Sequence, residues 1–282
     1  MTFAALALLT TSGDSLERVD TAGLLAWLKQ SGPSSAQAGK EWDGSFCGCL
    51  ASPFERDLRM VFSAVASCHI LGTWGQLPVQ PIVNFILSCQ SWDGAFGLAP
   101  GREGHGGSTH CAIASLFLLG VLPSSPQTSP RVAAGSDPPS DAVTDEQRSM
   151  VEAAMQRAEN WLMHRFLAPS EECLGGVCGR AGKPADVCYS WWITAALVLL
   201  GRQAWLEEPG QSLVSYVQLC QDRMAGGVGK NHECSADPLH SYYALAGLSL
   251  VGFPGIGAVD AALHMPAAAA QSAGVHWEPK GL

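Results

Sequence analysis

Basic residues are scarce: 16 lysines and arginines stand against 25 aspartates and glutamates, for a formal net charge of −9. A chain with that balance offers no electrostatic footprint for nucleic acid. Charge of either sign is thin, at 15% of 282 residues, while 47% are hydrophobic. That is enough apolar material for one large core or two ordinary domains of ~150 residues. Long hydrophobic runs are missing. Stretches such as WWITAALVLL at 191–200 reach about half of the ~20 residues that a membrane span needs, and read as buried helices. The opening MTFAALALLTTSG has neither a basic leading segment nor a small-x-small cleavage site. It reads as a helix cut at its beginning rather than a signal peptide. Cysteine is the exception to this scarcity. Ten are scattered through hydrophobic stretches (Cys68, Cys89, Cys111, Cys220), the pattern of buried reduced thiols, which places the protein in the cytoplasm.

What the chain does have is a repeat. Five segments share one design, a polar or charged start, an apolar helix-like run and a closing glycine: 1–13, 55–72, 105–120, 186–201 and 237–252. After the first, the glycines fall at Gly72, Gly120, Gly201 and Gly252, at intervals of 48, 81 and 51 residues. The long interval holds an insertion at 122–147, rich in Pro, Ser and Asp, which reads as a disordered loop. Between the segments lie a second helix and a Gly-rich turn: EWDGSF at 41–46, QSWDGAFG at 90–97, CLGGVCG at 173–179 and MAGGVG at 224–229. A helical hairpin recurring at this spacing predicts an all-α repeat architecture, stacked or closed into a barrel. Glycine ends one helix in the left-handed conformation and lets the next approach closely.

The repeat matters for chemistry because Arg59, His105, Asp186, Cys188 and His240 all begin equivalent helices. If those helices line a barrel, their starts converge on one rim, where helix N-termini also favour anions. Asp186-x-Cys188 and His240, 52 residues further on, offer one oxygen, one sulfur and one nitrogen. Three protein ligands leave the fourth tetrahedral position of zinc open, as catalytic sites require. On the pattern alone Cys188 reads equally as a small core residue and His240 as a hydrogen-bonded helix residue. Cys173 and Cys178 have no second Cys/His pair to complete a structural zinc site.

The stretch RAGKPADVCYSWW at 180–192 closely resembles the GRxxKxxDxCYSxW element of protein prenyltransferase β subunits. GREGHGGSTHC upstream resembles their HGG element, and GGVGKNHECSADPLHSYYALAGLSL downstream resembles their last zinc-ligand helix. The likeness runs over residues 1–265, leaving 266–282 as a C-terminal tail. It implies an α–α barrel (toroid) of six inner and six outer helices, incomplete here at the N-terminus because Met1 aligns well inside a family β subunit. Within the family the chain is most similar to the type I geranylgeranyl class. Ser108 stands where farnesyltransferases carry tyrosine, Leu239 precedes His240 where they carry tyrosine, and Lys230 takes the place of an aspartate that they associate with magnesium.

The resemblance implies one zinc per β subunit on Asp186, Cys188 and His240, with no magnesium requirement. The cysteine of a C-terminal CaaX sequence takes the open zinc position and attacks C1 of geranylgeranyl diphosphate. His105, Arg180, Lys183 and Tyr189 match diphosphate-binding positions, and Lys230 joins the catalytic set. Trp192 matches the isoprenoid lumen, and Arg59 a position near the peptide's C-terminus. The partners implied are a separate α subunit in a heterodimer and CaaX-terminated proteins such as small GTPases. Two alternatives stay open: a farnesyltransferase β subunit, and a shortened non-catalytic barrel that captures the α subunit or a prenyl ligand. A terpene cyclase would need an acidic DxDD-type proton donor, and the sequence has none.

Overall fold

The computed structural model describes residues 2–32, 41–73, 77–122, 143–171 and 173–273. In chain order the helices are α1 (Thr2–Thr11), α2 (Thr21–Ser31), α3 (Leu58–Ile70), α4 (Val79–Ser88), α5 (Gly106–Leu118), α6 (Asp145–Met163), α7 (Tyr189–Leu199), α8 (Pro209–Leu219), α9 (Pro238–Leu250) and α10 (Ala267–Ala273). A 3-10 helix at Ala204–Glu207 precedes α8, and there are two short antiparallel hairpins, β1 (Phe166–Leu167) with β2 (Gly176–Val177) and β3 (Val259–Asp260) with β4 (Met265–Pro266).

The odd-numbered helices are the five repeat segments. They pack side by side in sequence order, α1 on α3, α3 on α5, α5 on α7 and α7 on α9. α5 and α7 are apolar nearly all round and buried nearly all round, as helices inside a core must be. Each fully buried aliphatic side chain, Ile193 or Leu197 for instance, contributes about 2 kcal/mol of transfer free energy. The outer α6 buries only one stripe, Val151, Ala154, Met155, Ala158, Trp161 and Leu162, the three-and-four spacing of an amphipathic helix.

Every inner helix ends the same way. Gly13, Gly72, Gly120, Gly201 and Gly252 all have φ between 64° and 76°. In α3 the amide of Gly72 donates to the carbonyl of His69, and that of Thr73 to Cys68. This crossed pair satisfies the last free carbonyls and needs a residue tolerant of positive φ. At the other end, the starts are stitched to one another. Leu58 N–H donates to the carbonyl of Leu98 (2.9 Å), Gly106 N–H to Gly179 (3.0 Å) and Val187 N–H to Lys230 (2.9 Å). Each rim turn is thereby tied to the start of the neighbouring inner helix.

Two expectations change. The stretch read as a disordered insertion, 122–147, ends in order: Thr144 caps α6, and its side chain and that of Gln147 bond reciprocally to each other's backbone. Residues 123–142 lie outside the described residues. The segment read as a tail from 266 is also structured at its start, because β4 and α10 pack on α1 while β3 packs on α9. The side of the ring between α9 and α1 is therefore bridged by the C-terminal segment.

Candidate metal and anion site

α7 and α9 bring the three candidate ligands together. Asp186 Oδ1 accepts from the Cys188 amide (2.9 Å), which fixes the carboxylate at the start of α7. Asp237 caps α9: its Oδ1 accepts from the His240 amide (2.9 Å) and its Oδ2 bonds Nδ1 of His240 (2.6 Å), with Pro238 at the first helical position, where a missing N–H costs nothing. A carboxylate only accepts, so Nδ1 carries the proton, and in the neutral ring Nε2 presents a lone pair. That lone pair faces Asp186 Oδ1 at 3.4 Å. A positive charge shared between them, a metal ion or a second ring proton, satisfies both.

One ligand atom each from Asp186, Cys188 and His240 lie within 4.8 Å of one another, the one such trio among the described residues. Burial, then the neighbouring Asp186, pushes the Cys188 thiol well above its ordinary range. Alone it stays protonated; a divalent ion beside it reverses that preference. An oxygen, a sulfur and an imidazole nitrogen fit zinc with an open position, and the Asp237 contact is the outer support that metal-bound histidines usually have.

Beside the trio stands a cationic and hydrogen-bonding wall. Lys230 Nζ is 3.7 Å from Asp186 Oδ2. His105 caps α5, with Nδ1 accepting from the Gly107 amide (3.0 Å) and Nε2 bonded to the Tyr189 hydroxyl (2.8 Å). Because Nδ1 accepts, the neutral ring carries its proton on Nε2 and donates it to Tyr189, leaving the tyrosine O–H proton for another acceptor. Burial, then Arg180, lowers the His105 pKa; burial, then Cys188 and Asp186, raises Tyr189 to about 12. Gly179 makes the contact possible, since a Cβ there would stand 1.9 Å from Tyr189 Cζ. Arg180 Nη1 donates to Glu103 Oε2 (2.6 Å). Lys183 is exposed, in the turn that follows Arg180.

Trp192 lies half-buried, its ring 4.9 Å from Tyr243 and 5.4 Å from His110. Arg59 is not drawn into the trio; its guanidinium is held by Asp57 (2.6 Å) and Glu55 (3.2 Å) at the start of α3. Ser108 is buried, and its hydroxyl donates to the Phe96 carbonyl (2.7 Å). Cys173 and Cys178 are free thiols. Two participants escaped the sequence reading, Glu103 as partner of Arg180 and Asp237 as the group that orients His240. The second had a signal, an aspartate directly before Pro238 with histidine three residues on, which is a helix-cap pattern.

Residues 1–265 match the model of the prenyltransferase alpha-alpha toroid domain. The chain is similar to the geranylgeranyl transferase type-1 subunit beta of Arabidopsis thaliana, 34% identical over 95% of this chain and 63% of that protein. It is also similar to the type-2 subunit beta of Saccharomyces cerevisiae, 31% identical over 79% of this chain and 58% of that protein. It therefore spans less than two thirds of the length of these relatives. In fold it is similar to Candida albicans protein geranylgeranyltransferase-I complexed with GGPP, with a TM-score of 0.74 at 21% identity, over 98% of this chain and 73% of that one. On the extent of the family match, the chain belongs to the prenyltransferase alpha-alpha toroid domain family.

Proposed function

We propose that the chain acts as the β subunit of a type I protein geranylgeranyltransferase, together with an α subunit, moving a geranylgeranyl group from its diphosphate to the cysteine of CaaX-terminated proteins such as small GTPases. The observation that carries the reading is the Asp186–Cys188–His240 trio, its donors within 4.8 Å of one another, set beside Lys230, Tyr189 and His105 on one rim.

A zinc ion held by the trio supplies the positive charge that lets a substrate thiol lose its proton near neutral pH. The chain's own residues handle the leaving group. As sulfur bonds to C1 of the isoprenoid and the C1–oxygen bond breaks, charge grows on the diphosphate. Arg180, Lys183 and the free O–H of Tyr189 are the donors for it, with His105 holding the Tyr189 ring in place. The α5 and α7 N-termini add a favourable field. Lys230 gives a fixed positive charge where a magnesium ion would otherwise serve, and Trp192 with Tyr243 walls the path of the isoprenoid. The family likeness supports Arg59 as a residue near the peptide's C-terminus. Ser108, Leu239 and Lys230 favour the geranylgeranyl over the farnesyl class. The ten free thiols fit a cytoplasmic setting, and among the described residues no helix is long and apolar enough to cross a membrane.

Co-expression with an α subunit, followed by assay of geranylgeranyl and farnesyl diphosphates against a CaaX peptide ending in leucine, tests the reading. We expect one zinc per chain, lost in Cys188→Ala, and turnover without added magnesium. Folded wild-type protein without zinc rejects the site. A steep magnesium dependence moves the assignment to the farnesyl class. Zinc binding and α-subunit capture with no turnover favour the non-catalytic barrel, for which the exposed flank Leu239, Tyr242 and Leu245 of α9 offers an apolar surface.

A further inference from the structure

Glu103 and Arg180 come from different turns of the rim, and the backbone holds those turns together. The Gly106 amide donates to the Gly179 carbonyl (3.0 Å), which ties the segment before α5 to the segment before α7. The turn that carries Glu103 has little room to move. A Cβ at Gly104 would stand 2.4 Å from the Ala95 Cβ and 2.8 Å from Ser91 Oγ, and one at Gly97 would stand 2.4 Å from the Arg102 carbonyl oxygen. Residues 102–104 are pressed against the turn at 90–97, so the Glu103 side chain starts from a fixed base. One bond joins the two side chains, from Arg180 Nη1 to Glu103 Oε2 (2.6 Å).

The pair stands beside the anion wall. Burial, then Arg180, lowers the His105 pKa, while Glu103 acts on the same ring in the opposite sense. Both charges therefore lie near the imidazole that holds Tyr189. A carboxylate in this place cancels one of the cations that face the leaving group. Its grip is loose. Glu103 engages a single nitrogen of a group with five N–H donors, and both side chains are open to water, 66% for Glu103 and 38% for Arg180. Pairs so exposed are worth little. Asp57 is the contrast: it is 6% exposed and takes Arg59 from both Nε and Nη2. Asp57 is a strut, whereas Glu103 can be exchanged.

We propose that Glu103 is a resident counter-ion of the anion site, displaced from Arg180 when a diphosphate binds and taking Arg180 back when the diphosphate leaves. The inference rests on the prenyl-transfer reading and deepens it. A diphosphate brings several acceptor oxygens and more than one negative charge, so it wins the guanidinium from a lone carboxylate through a two-point contact that Glu103 does not make. The same competition loosens the hold on inorganic pyrophosphate once the C1–oxygen bond has broken. Release of that product is a step that can limit turnover.

The test uses inorganic pyrophosphate to compete with geranylgeranyl diphosphate for the heterodimer, with binding followed by quenching of tryptophan fluorescence. Glu103→Gln keeps the size of the side chain and removes its charge. Its inhibition constant for pyrophosphate is expected to fall by roughly fivefold, the upper end of what an exposed pair is worth. Glu103→Ala should move it in the same direction and stands in if the glutamine variant does not fold. A merely structural glutamate would give the opposite result, a looser wall and weaker binding. On an Arg180→Gln background the loss of the Glu103 charge should bring less than half of the gain, because the contested group is gone. Unchanged or weaker pyrophosphate binding in folded Glu103→Gln, with the wild type still binding geranylgeranyl diphosphate, overturns the counter-ion role and leaves the proposed function standing. A full gain on the Arg180→Gln background does the same, since Glu103 would then act by repulsion alone. Wild-type heterodimer that binds neither ligand overturns both readings.

Discussion

α3 and α9 open on the same device and put it to different ends. Each is capped by an aspartate in an extended conformation, Asp57 at φ −157° and Asp237 at φ −142°, and each aspartate accepts an amide from the first turn. At α3 the residue that supplies the amide is Arg59. Its guanidinium folds back to the same carboxylate (2.6 Å), so the charge is closed on itself and Asp57 is left 6% exposed. At α9 the corresponding residue is His240. Its ring gives one nitrogen to the cap and turns the other toward Asp186. The lesson is that a capping motif becomes part of a metal site when the residue that returns to the cap has a second donor atom to spare.

The comparison can be broken by substituting each cap. Asp237→Ala is expected to weaken zinc binding by about 10- to 100-fold, as loss of outer support to a histidine ligand does, measured by competition with a chelator. Asp237→Ser, which keeps a capping oxygen but not the ring contact, should restore the helix and not the zinc affinity; recovery of both would make the cap alone responsible. Asp57→Ala is expected to lower stability by about 2 kcal/mol, through the lost cap and the ion pair, with zinc affinity unchanged. Urea denaturation checks the first half and the same competition the second. The smallest effect concerns the interior behind both caps. Burial lowers His110 from 6.5 to about 4, so the unfolded chain binds the proton more readily. The associated stability is full above pH 6.5 and falls as pH drops toward 4. Between pH 7 and 5.5 the share of the loss due to His110 should be about 1 kcal/mol, read as the part of the urea-midpoint shift that disappears in His110→Phe, while His69 and His264, lowered by burial in the same way, supply the remainder. A flat profile in the wild type would show that this ring is not sealed from water.

The inner helices were legible because each carries two local signals, an apolar run and a glycine one residue beyond the cap. α6 was only half legible. Its capping pair, Thr144 and Gln147, sits at the end of a stretch whose composition reads as loop. α10 was not legible at all. A run of alanines after Pro266 has no strong pattern of its own, and it finds a place by packing against α1 and the β3–β4 hairpin. At the site, residue types that are unusual at a helix start stood out, Asp186, Cys188 and His240 foremost, and the family likeness gave them roles. Their supports did not. Glu103 reaches Arg180 across 77 residues of sequence, a separation at which no local pattern carries information; Asp237, three residues before His240, is the exception.

The stitching of the rim divides the chain's connections into two kinds. Turns that lead into α3, α5 and α7 are each bound by a backbone hydrogen bond to the next turn along, so adding or deleting a residue there would drag a neighbour with it. Beyond Gly72, Gly120 and Gly201, at the far ends of those helices, the described residues make no backbone hydrogen bond of this kind to a neighbouring connection. The longest interval between closing glycines, the 81 residues from Gly120 to Gly201, opens at such an end. Length variation can accumulate at one mouth of the ring while the chemistry at the other keeps its spacing.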